Sequence, residues 1–384
     1  MNLEGFKAGT YIQQYQYKSF TPTTINTEWT WSDATLNTLL AEANLKLGEL
    51  NAFSSHVPDI DIFIRMHVVK EATTSSRIEG TRTEMEEAVM KKADVGIEKR
   101  DDWQEVQNYI KAMNHAIKRL KDVPISTRLL KETHKILMTG VRGKAKLPGE
   151  YRRSQNWIGG ATIRDAVFIP PQHTELSGLM SDLEKFLHND KIQLPDLIRI
   201  AMAHYQFEAI HPFLDGNGRV GRLLITLYLV SNNILSKPTL YLSSYIEKHK
   251  SVYYDNLTRV RTANDLLQWI RFFLVAVTET SKQGIATFKS ILALREDIES
   301  RRLVTLGSKL PRAQQLITHL YKSPRVTAAD VGVMLNVTPA TANVFIRDFV
   351  RLGILKETTG GKRNRMFTFH EYLSLFVEQL SDIE

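Results

Sequence analysis

Cysteine is absent from all 384 residues. That removes disulfides, thiol nucleophiles and cysteine-based zinc sites, and it fits a reducing compartment. Long hydrophobic runs are missing too. The greasiest stretches, 223–230 and 269–277, fall far short of the ~20 apolar residues a membrane helix needs. The opening MNLEGFKAGTYIQQYQYKSF lacks the basic-then-apolar pattern of a signal peptide. There are no internal repeats and no low-complexity tracts. A cytoplasmic protein with no membrane partner is the expectation. What is present is ordinary for a globular chain of two or three domains: 43% hydrophobic and 24% charged residues. A net charge of +8 invites a polyanionic partner, but its placement matters more than its sum.

Chemistry concentrates in residues 211–222, HPFLDGNGRVGR. Asp215, Gly216, Asn217 and Gly218 form a turn cluster, and the apolar run after them reads as a buried helix. The turn therefore meets a helix N-terminus, where free N–H groups and the dipole attract phosphate. Glycines let the backbone approach that phosphate closely. Arg219 and Arg222 are three apart, so they share a helix face and can grip oxyanions together. Asp215 can hold a divalent cation through one carboxylate plus substrate phosphates. His211, with a free pKa near neutrality, is the natural general base. A nucleoside triphosphate gives each piece a job.

This stretch matches the HPFx(D/E)GNGRxxR signature of the Fic family at every specified position, and the chain resembles that family from about residue 35 to 285. The resemblance implies a mainly α fold: a helical core with a β-hairpin flap, followed here by a small winged helix-turn-helix domain. It implies transfer of AMP from ATP to a Ser, Thr or Tyr hydroxyl of a target protein, or of the chain itself. His211 would deprotonate the hydroxyl and Asp215 would bind Mg²⁺ or Mn²⁺. Gly216, Asn217 and Gly218 would cradle phosphates, with Arg219 and Arg222 on the outer ones and Val220 and Gly221 completing the ATP-binding stretch. Transfer of UMP or of a phosphate moiety stays open, because the signature fixes phosphates better than the base.

A second landmark gains meaning from the first. Ser75 to Gly80, SSRIEG, matches the (S/T)xxxE(G/N) inhibitory motif of one class of Fic proteins. By that resemblance Ser75, Glu79 and Gly80 form a brake. Glu79 would pair with Arg222 and take the place of the ATP γ-phosphate, leaving ATP in an unproductive pose. In some relatives the same glutamate positions water to remove AMP. The bland alternative is a helix ended by Gly80, with Glu79 in solvent.

Along the chain, residues 1–35 read as an irregular aromatic arm packing Tyr11, Tyr15, Tyr17 and Phe20 onto the body. Helices are expected over 32–53, 60–71, 83–93, 101–120, 128–138, 176–188 and 194–210, with His204 packed rather than catalytic. Strands at 155–158 and 166–169 around Gly159-Gly160 suggest a hairpin. The family's flap docks the target there, near 156–169, by strand addition; a purely structural hairpin is the alternative. Tyr254 either stacks on the purine or belongs to the core. Residues 309–370 carry ten lysines and arginines against three acids. Helices at 311–321, 327–336 and 339–352, then strands at 354–357 and 366–369, resemble a winged helix. That unit either binds DNA, with Arg347 on the reading helix and Lys362, Arg363 and Arg365 on phosphates, or docks a protein. The expected divisions are 1–100 with the inhibitory motif, a core over 101–285, a linking helix over 286–308 and the winged unit over 309–384. A homodimer is expected by analogy. Against the restrained adenylyltransferase stands a DNA-binding regulator whose Fic core senses nucleotide.

Overall fold

The computed structural model describes residues 1–140, 144–360 and 365–377. Two strands open the chain, β1 (Gly9–Gln13) and β2 (Lys18–Pro22), antiparallel with Tyr11 opposite Phe20. The expected irregular arm is thus partly a hairpin. Of Tyr11, Tyr15, Tyr17 and Phe20 only Phe20 is buried, while Tyr15 at the tip is 96% exposed. Helices follow as α1 (Ala34–His56), α2 (Ile60–Ile78), α3 (Met85–Ala88), α4 (Arg100–Arg119), α5 (Thr127–Leu137), α6 (Leu176–His188), α7 (Asp196–Ile210), α8 (Asn217–Ser231), α9 (Ser243–Lys248), α10 (Lys250–Ala263) and α11 (Leu266–Asp297). The anticipated helix over 83–93 shrinks to the single turn of α3. Glu84 and Glu87 close a capping box around it, and 3-10 turns carry the chain on to α4.

Helices α7 and α8 lie at the centre because both are apolar nearly all round; from Leu197 to Ile210 every residue of α7 is buried. Their neighbours are amphipathic and shield them. Asp33 caps α1 through Leu36 N, and Ser126 caps α5 through Leu129 N at 3.3 Å. Helix α11 runs 32 residues along α1 and passes unbroken through residue 285. No helix among the described residues is long and apolar enough to cross a membrane.

A π-helical turn and a 3-10 segment lead from α11 to α12 (Leu310–Lys322), β3 (Arg325–Thr327), α13 (Ala328–Leu335), α14 (Pro339–Arg351), β4 (Lys356–Glu357), β5 (Met366–Thr368) and α15 (His370–Val377). The sheet order is β3-β5-β4, all antiparallel, with Val326 opposite Phe367. Thr327 and Thr338 cap α13 and α14 with their hydroxyls, the latter with Pro339 in the first turn. This unit packs on α2. The Phe63 ring meets Tyr321 at 5.4 Å, and His67 sits 4.7 Å from Phe288 and 5.1 Å from Phe376. Burial, with Lys70 nearby, pushes His67 down to about 3, so it packs as a neutral ring. The far end of α2 carries Ser75 and reaches the candidate site.

Candidate active site

Helix α7 stops because Pro212 disfavours helical backbone at the residue before it. That residue, His211, takes the left-handed region at φ 49°, uncommon for a side chain of this size. Its backbone is tied on both sides. His211 N donates to Phe207 O at 2.9 Å, and Arg152 Nε donates to His211 O at 3.0 Å. Phe213 then stacks on His134, 3.8 Å between centroids and 10° between planes. The Asn217 side chain closes the turn, accepting from Phe213 N and donating to Phe213 O, each at 2.9 Å. Its amide is therefore spent on the turn, leaving its backbone N–H for a ligand.

His134 holds the middle of the turn. Gly149 N donates to its Nδ1 at 2.9 Å, so Nε2 carries the proton and donates to Asp215 O at 3.0 Å. Gly216 follows at φ 78°, and a Cβ there would lie 3.0 Å from Met138 Sδ. The first helical bond of α8 is Val220 N to Gly216 O, so the N–H groups of Asn217, Gly218 and Arg219 have no acceptor inside the helix.

A carboxylate stands where an anion would approach. A Cβ on Gly218 would lie only 2.4 Å from Glu79 Oε1. That oxygen accepts from Arg222 Nη2 at 2.7 Å, while Arg222 Nε and Nη2 donate to Ser75 Oγ and Ser75 O at 2.9 Å each. The Arg222 side chain is 1% exposed and the Glu79 side chain 32%. Burial alone would raise the Glu79 carboxyl, but Arg222, helped by Arg219, holds it below the usual range. Gly80, at φ 102°, ends α2 and turns the chain away; Thr81 N reaches back to Ser76 O at 3.2 Å. The two arginines expected to act together diverge. Arg219 instead pairs with Glu105 at 3.1 Å and lies 3.7 Å from Asp215.

His211 is held as a neutral ring. Desolvation, with Arg152 adding to it, pushes the ring down to about 4, and its shielded Nδ1 has no partner among the described residues. His204 is structural, as expected: Nδ1 donates to Gly221 O and Nε2 accepts from Tyr253 Oη, each at 2.9 Å. Val220 is buried in the core, while Tyr254 is 40% exposed beside the site. Burial and then Glu79 push the Tyr254 hydroxyl up to about 12.

The sequence did not flag Glu71 and Glu208. Burial raises both carboxyls to about 7, next to Arg222. Glu71 accepts from Tyr109 Oη at 3.1 Å and from Ser243 N at 3.3 Å. Glu208 Oε1 is unpartnered among the described residues and would sit 2.3 Å from a Cβ on Gly221. For Glu208 a carboxyl between Phe207 and Ala209 was the one available signal; nothing around Glu71 marks it.

The expected two-stranded flap reduces to one antiparallel bridge, Ile158 with Phe168. Gly159 and Gly160, both at positive φ, and a turn closed on Asp165 interrupt the pairing. Trp157 and Val167 stay exposed at 41% and 73%, and Asn156 Nδ2 ties the loop to Phe213 O at 3.0 Å. In the C-terminal unit Arg347 and Arg365 line one cleft; Lys362 and Arg363 lie outside the described residues.

Residues 37–118 match the model of the Fic/DOC family N-terminal region, and residues 124–229 match that of the Fic/DOC family itself. The chain carries a Fic/DOC N-terminal region and a Fic/DOC domain. Protein adenylyltransferase Fic of Culex quinquefasciatus is 39% identical over 126 residues, 32% of this chain and 22% of its own length. The protein of the same name from Aedes aegypti is 37% identical over the same length. The chain thus spans only 22% of the length of these curated relatives. A Fic family protein from Desulfovibrio desulfuricans superposes with a TM-score of 0.55 at 21% identity, over 88% of this chain and 96% of that one. A Fic domain containing signaling protein from Bacteroides thetaiotaomicron gives 0.52 at 19%, over 67% of this chain and 97% of that one. These two share the fold, which is mainly helical with small sheets.

Proposed function

We propose that this Fic protein is a restrained protein adenylyltransferase, moving AMP from ATP onto a hydroxyl of a target protein. The observation that carries the reading is Glu79, held on Arg222 over the open N-terminus of α8, a few residues from a neutral His211. ATP phosphates fit the same N–H groups, and the γ-phosphate competes with Glu79 for Arg222. His211 takes the proton of the target hydroxyl as its oxygen attacks the α-phosphorus. The bond to the β,γ-unit breaks and pyrophosphate leaves. The α8 N-terminus faces the charge that builds on the phosphate oxygens.

Asp215 fits a magnesium ion in the limited way such a site requires. Its side chain is 47% exposed, and among the described residues no three acids or histidines cluster as a complete metal cage. One carboxylate plus substrate phosphates and water is the usual magnesium set. There Asp215 would hold the ion, which supplies neutralisation of phosphate charge when bound.

The deciding experiment separates which phosphate travels. With the Glu79→Gly protein, label from α-³²P-ATP is expected on protein, and label from γ-³²P-ATP is expected to stay in solution. Protein labelled only from the γ position would replace adenylyl transfer by phosphoryl transfer.

A second reading is supported by the C-terminal unit. A cleft of about 1260 Å³ is lined by Lys309, Arg312, Arg347, Arg351 and Arg365; Asp348 pairs with Lys309 and Arg351, and Glu357 lies 3.9 Å from Arg365. A duplex backbone fits that charge, and DNA binding there would weaken steeply with salt. Retarded DNA that does not respond to salt or to Arg347→Ala would remove the reading.

A further inference from the structure

Arg152 follows the Pro148–Gly149 turn, and nothing in its sequence setting marks it. In the fold it is among the largest fully buried side chains. A guanidinium carries five donors in a rigid fork. Here Nε donates to His211 O at 3.0 Å, Nη1 to Ser154 O at 3.2 Å, and Nη2 to Pro171 O at 2.5 Å and Ile210 O at 3.5 Å. The Arg152 backbone N–H adds a bond to Pro212 O at 2.9 Å. Among the described residues no carboxylate comes within ion-pair distance of it, and burial brings it down to about 10.

A buried cation without a carboxylate partner is costly, so its acceptors must justify it. They fall into two groups. Ile210 and His211 present carbonyls at the C-terminus of α7, where a cation is favoured. Ser154 and Pro171 are the two legs of the loop carrying Trp157 and Val167. One side chain therefore fixes the backbone of His211 and the base of the flap in a common frame. The nucleotide cradle is braced by other residues: His134 on Asp215, Asn217 on Phe213 and Ser75 on Arg222.

We propose that Arg152 is a positioning residue for the transfer reaction, setting the catalytic histidine and the target-facing loop in register. The inference rests on the adenylyltransferase reading above. His211 sits in a left-handed conformation, so its ring direction depends on backbone ties at its carbonyl. Arg152 supplies the side-chain tie to that carbonyl. A shift of about 1 Å at a reacting group commonly costs about a hundredfold in rate. Loss of Arg152 should therefore strike kcat and spare nucleotide binding.

The test uses the full chain carrying Glu79→Gly, alone and with Arg152→Lys or Arg152→Gln, each checked by thermal melting. Affinity for a fluorescent ATP analogue should stay within about threefold, while kcat for adenylyl transfer falls about 10- to 100-fold. Lysine should not rescue, because a point ammonium cannot span carbonyls on two segments. Unchanged kcat, or affinity and kcat falling together, overturns the proposal. Silence of the Glu79→Gly parent would instead count against the functional reading. Histidine-labelled NMR then still judges Arg152. On Arg152→Lys the His211 ring signals should move while those of His204 hold; unmoved His211 signals overturn the positioning role. Should both variants fail to melt cooperatively, Arg152→Ala supplemented with ethylguanidinium replaces them. Saturable recovery of kcat supports the role, and none overturns it.

Discussion

Glu79→Gly should raise adenylyl transfer about 10- to 100-fold. The Glu79–Arg222 contact is a charge-assisted bond of 2.7 Å with one partner fully buried. Hydrogen bonds to charged groups contribute about 1.5–3 kcal/mol, and each 1.4 kcal/mol is about tenfold. A γ-phosphate must displace that carboxylate before it can reach Arg222, so removing the competitor returns roughly that factor. The same substitution has a cost in the free protein. Arg222 would keep Ser75 Oγ and Ser75 O but lose its hydrogen-bonded counter-charge, while Glu71 and Glu208, raised to about 7, are only partly ionised near neutrality. The Glu79→Gly protein should therefore melt lower than wild type without nucleotide and recover disproportionately with ATP, by the mass-action term of a ligand that binds only the folded state. Glu79→Gln keeps the shape and one hydrogen bond but not the charge, and should fall between the two. Transfer equal in all three proteins, with ATP bound equally, would remove the brake from the account.

The residues of the proposed brake and cradle are both legible in the sequence, for a physical reason. Their chemistry is carried by side-chain type at short fixed spacing, as in His211 to Arg222 and Ser75 to Gly80. What stayed hidden is carried by backbone. Arg152 and His134 act on carbonyls and on one peptide N–H, groups every residue owns and no pattern displays. The β1–β2 hairpin was missed because its turn, Gln14 to Tyr17, lacks glycine, asparagine and proline, although Tyr, Ile and Thr in β1 favour strand. The flap erred in the other direction. Its Gly159-Gly160 pair suggests a hairpin, but two positive-φ residues beside an Asp165-closed turn leave room for only one bridge. Glu208 could be read only as an anomaly and Glu71 not at all, since their worth depends on how far Arg222 lies from each.

His211→Ala should reduce transfer by about 10²- to 10⁴-fold, the usual contribution of a general base. ATP affinity should hardly change, because the phosphate cradle lies on α8 and the ring is no part of its hydrogen bonds. The accompanying pH dependence is the sharper test of mechanism. A free imidazole loses its basic form as pH falls through about 6.5. Here desolvation and the neighbouring Arg152 hold the folded-state value at about 4. The base is thus already deprotonated throughout pH 5–8, and because Glu79 itself raises the ring, the acid limb of kcat/KM in the Glu79→Gly protein should lie at about 4 or below rather than at 6.5. The sign for stability runs the same way. A depressed histidine contributes stability that is present above the unfolded value and lost as pH falls toward the folded one. His67, His134 and His204 share that sign, pushed down to about 3, 4 and 4. Glu71 and Glu208, raised to about 7, oppose it, contributing stability that fades as pH rises through their range. Rates must therefore be read against the folded fraction at each pH. A corrected acid limb at 6.5 would mean that the ring is solvated in the working enzyme, and the enclosed base would have to be abandoned even if His211→Ala is inactive.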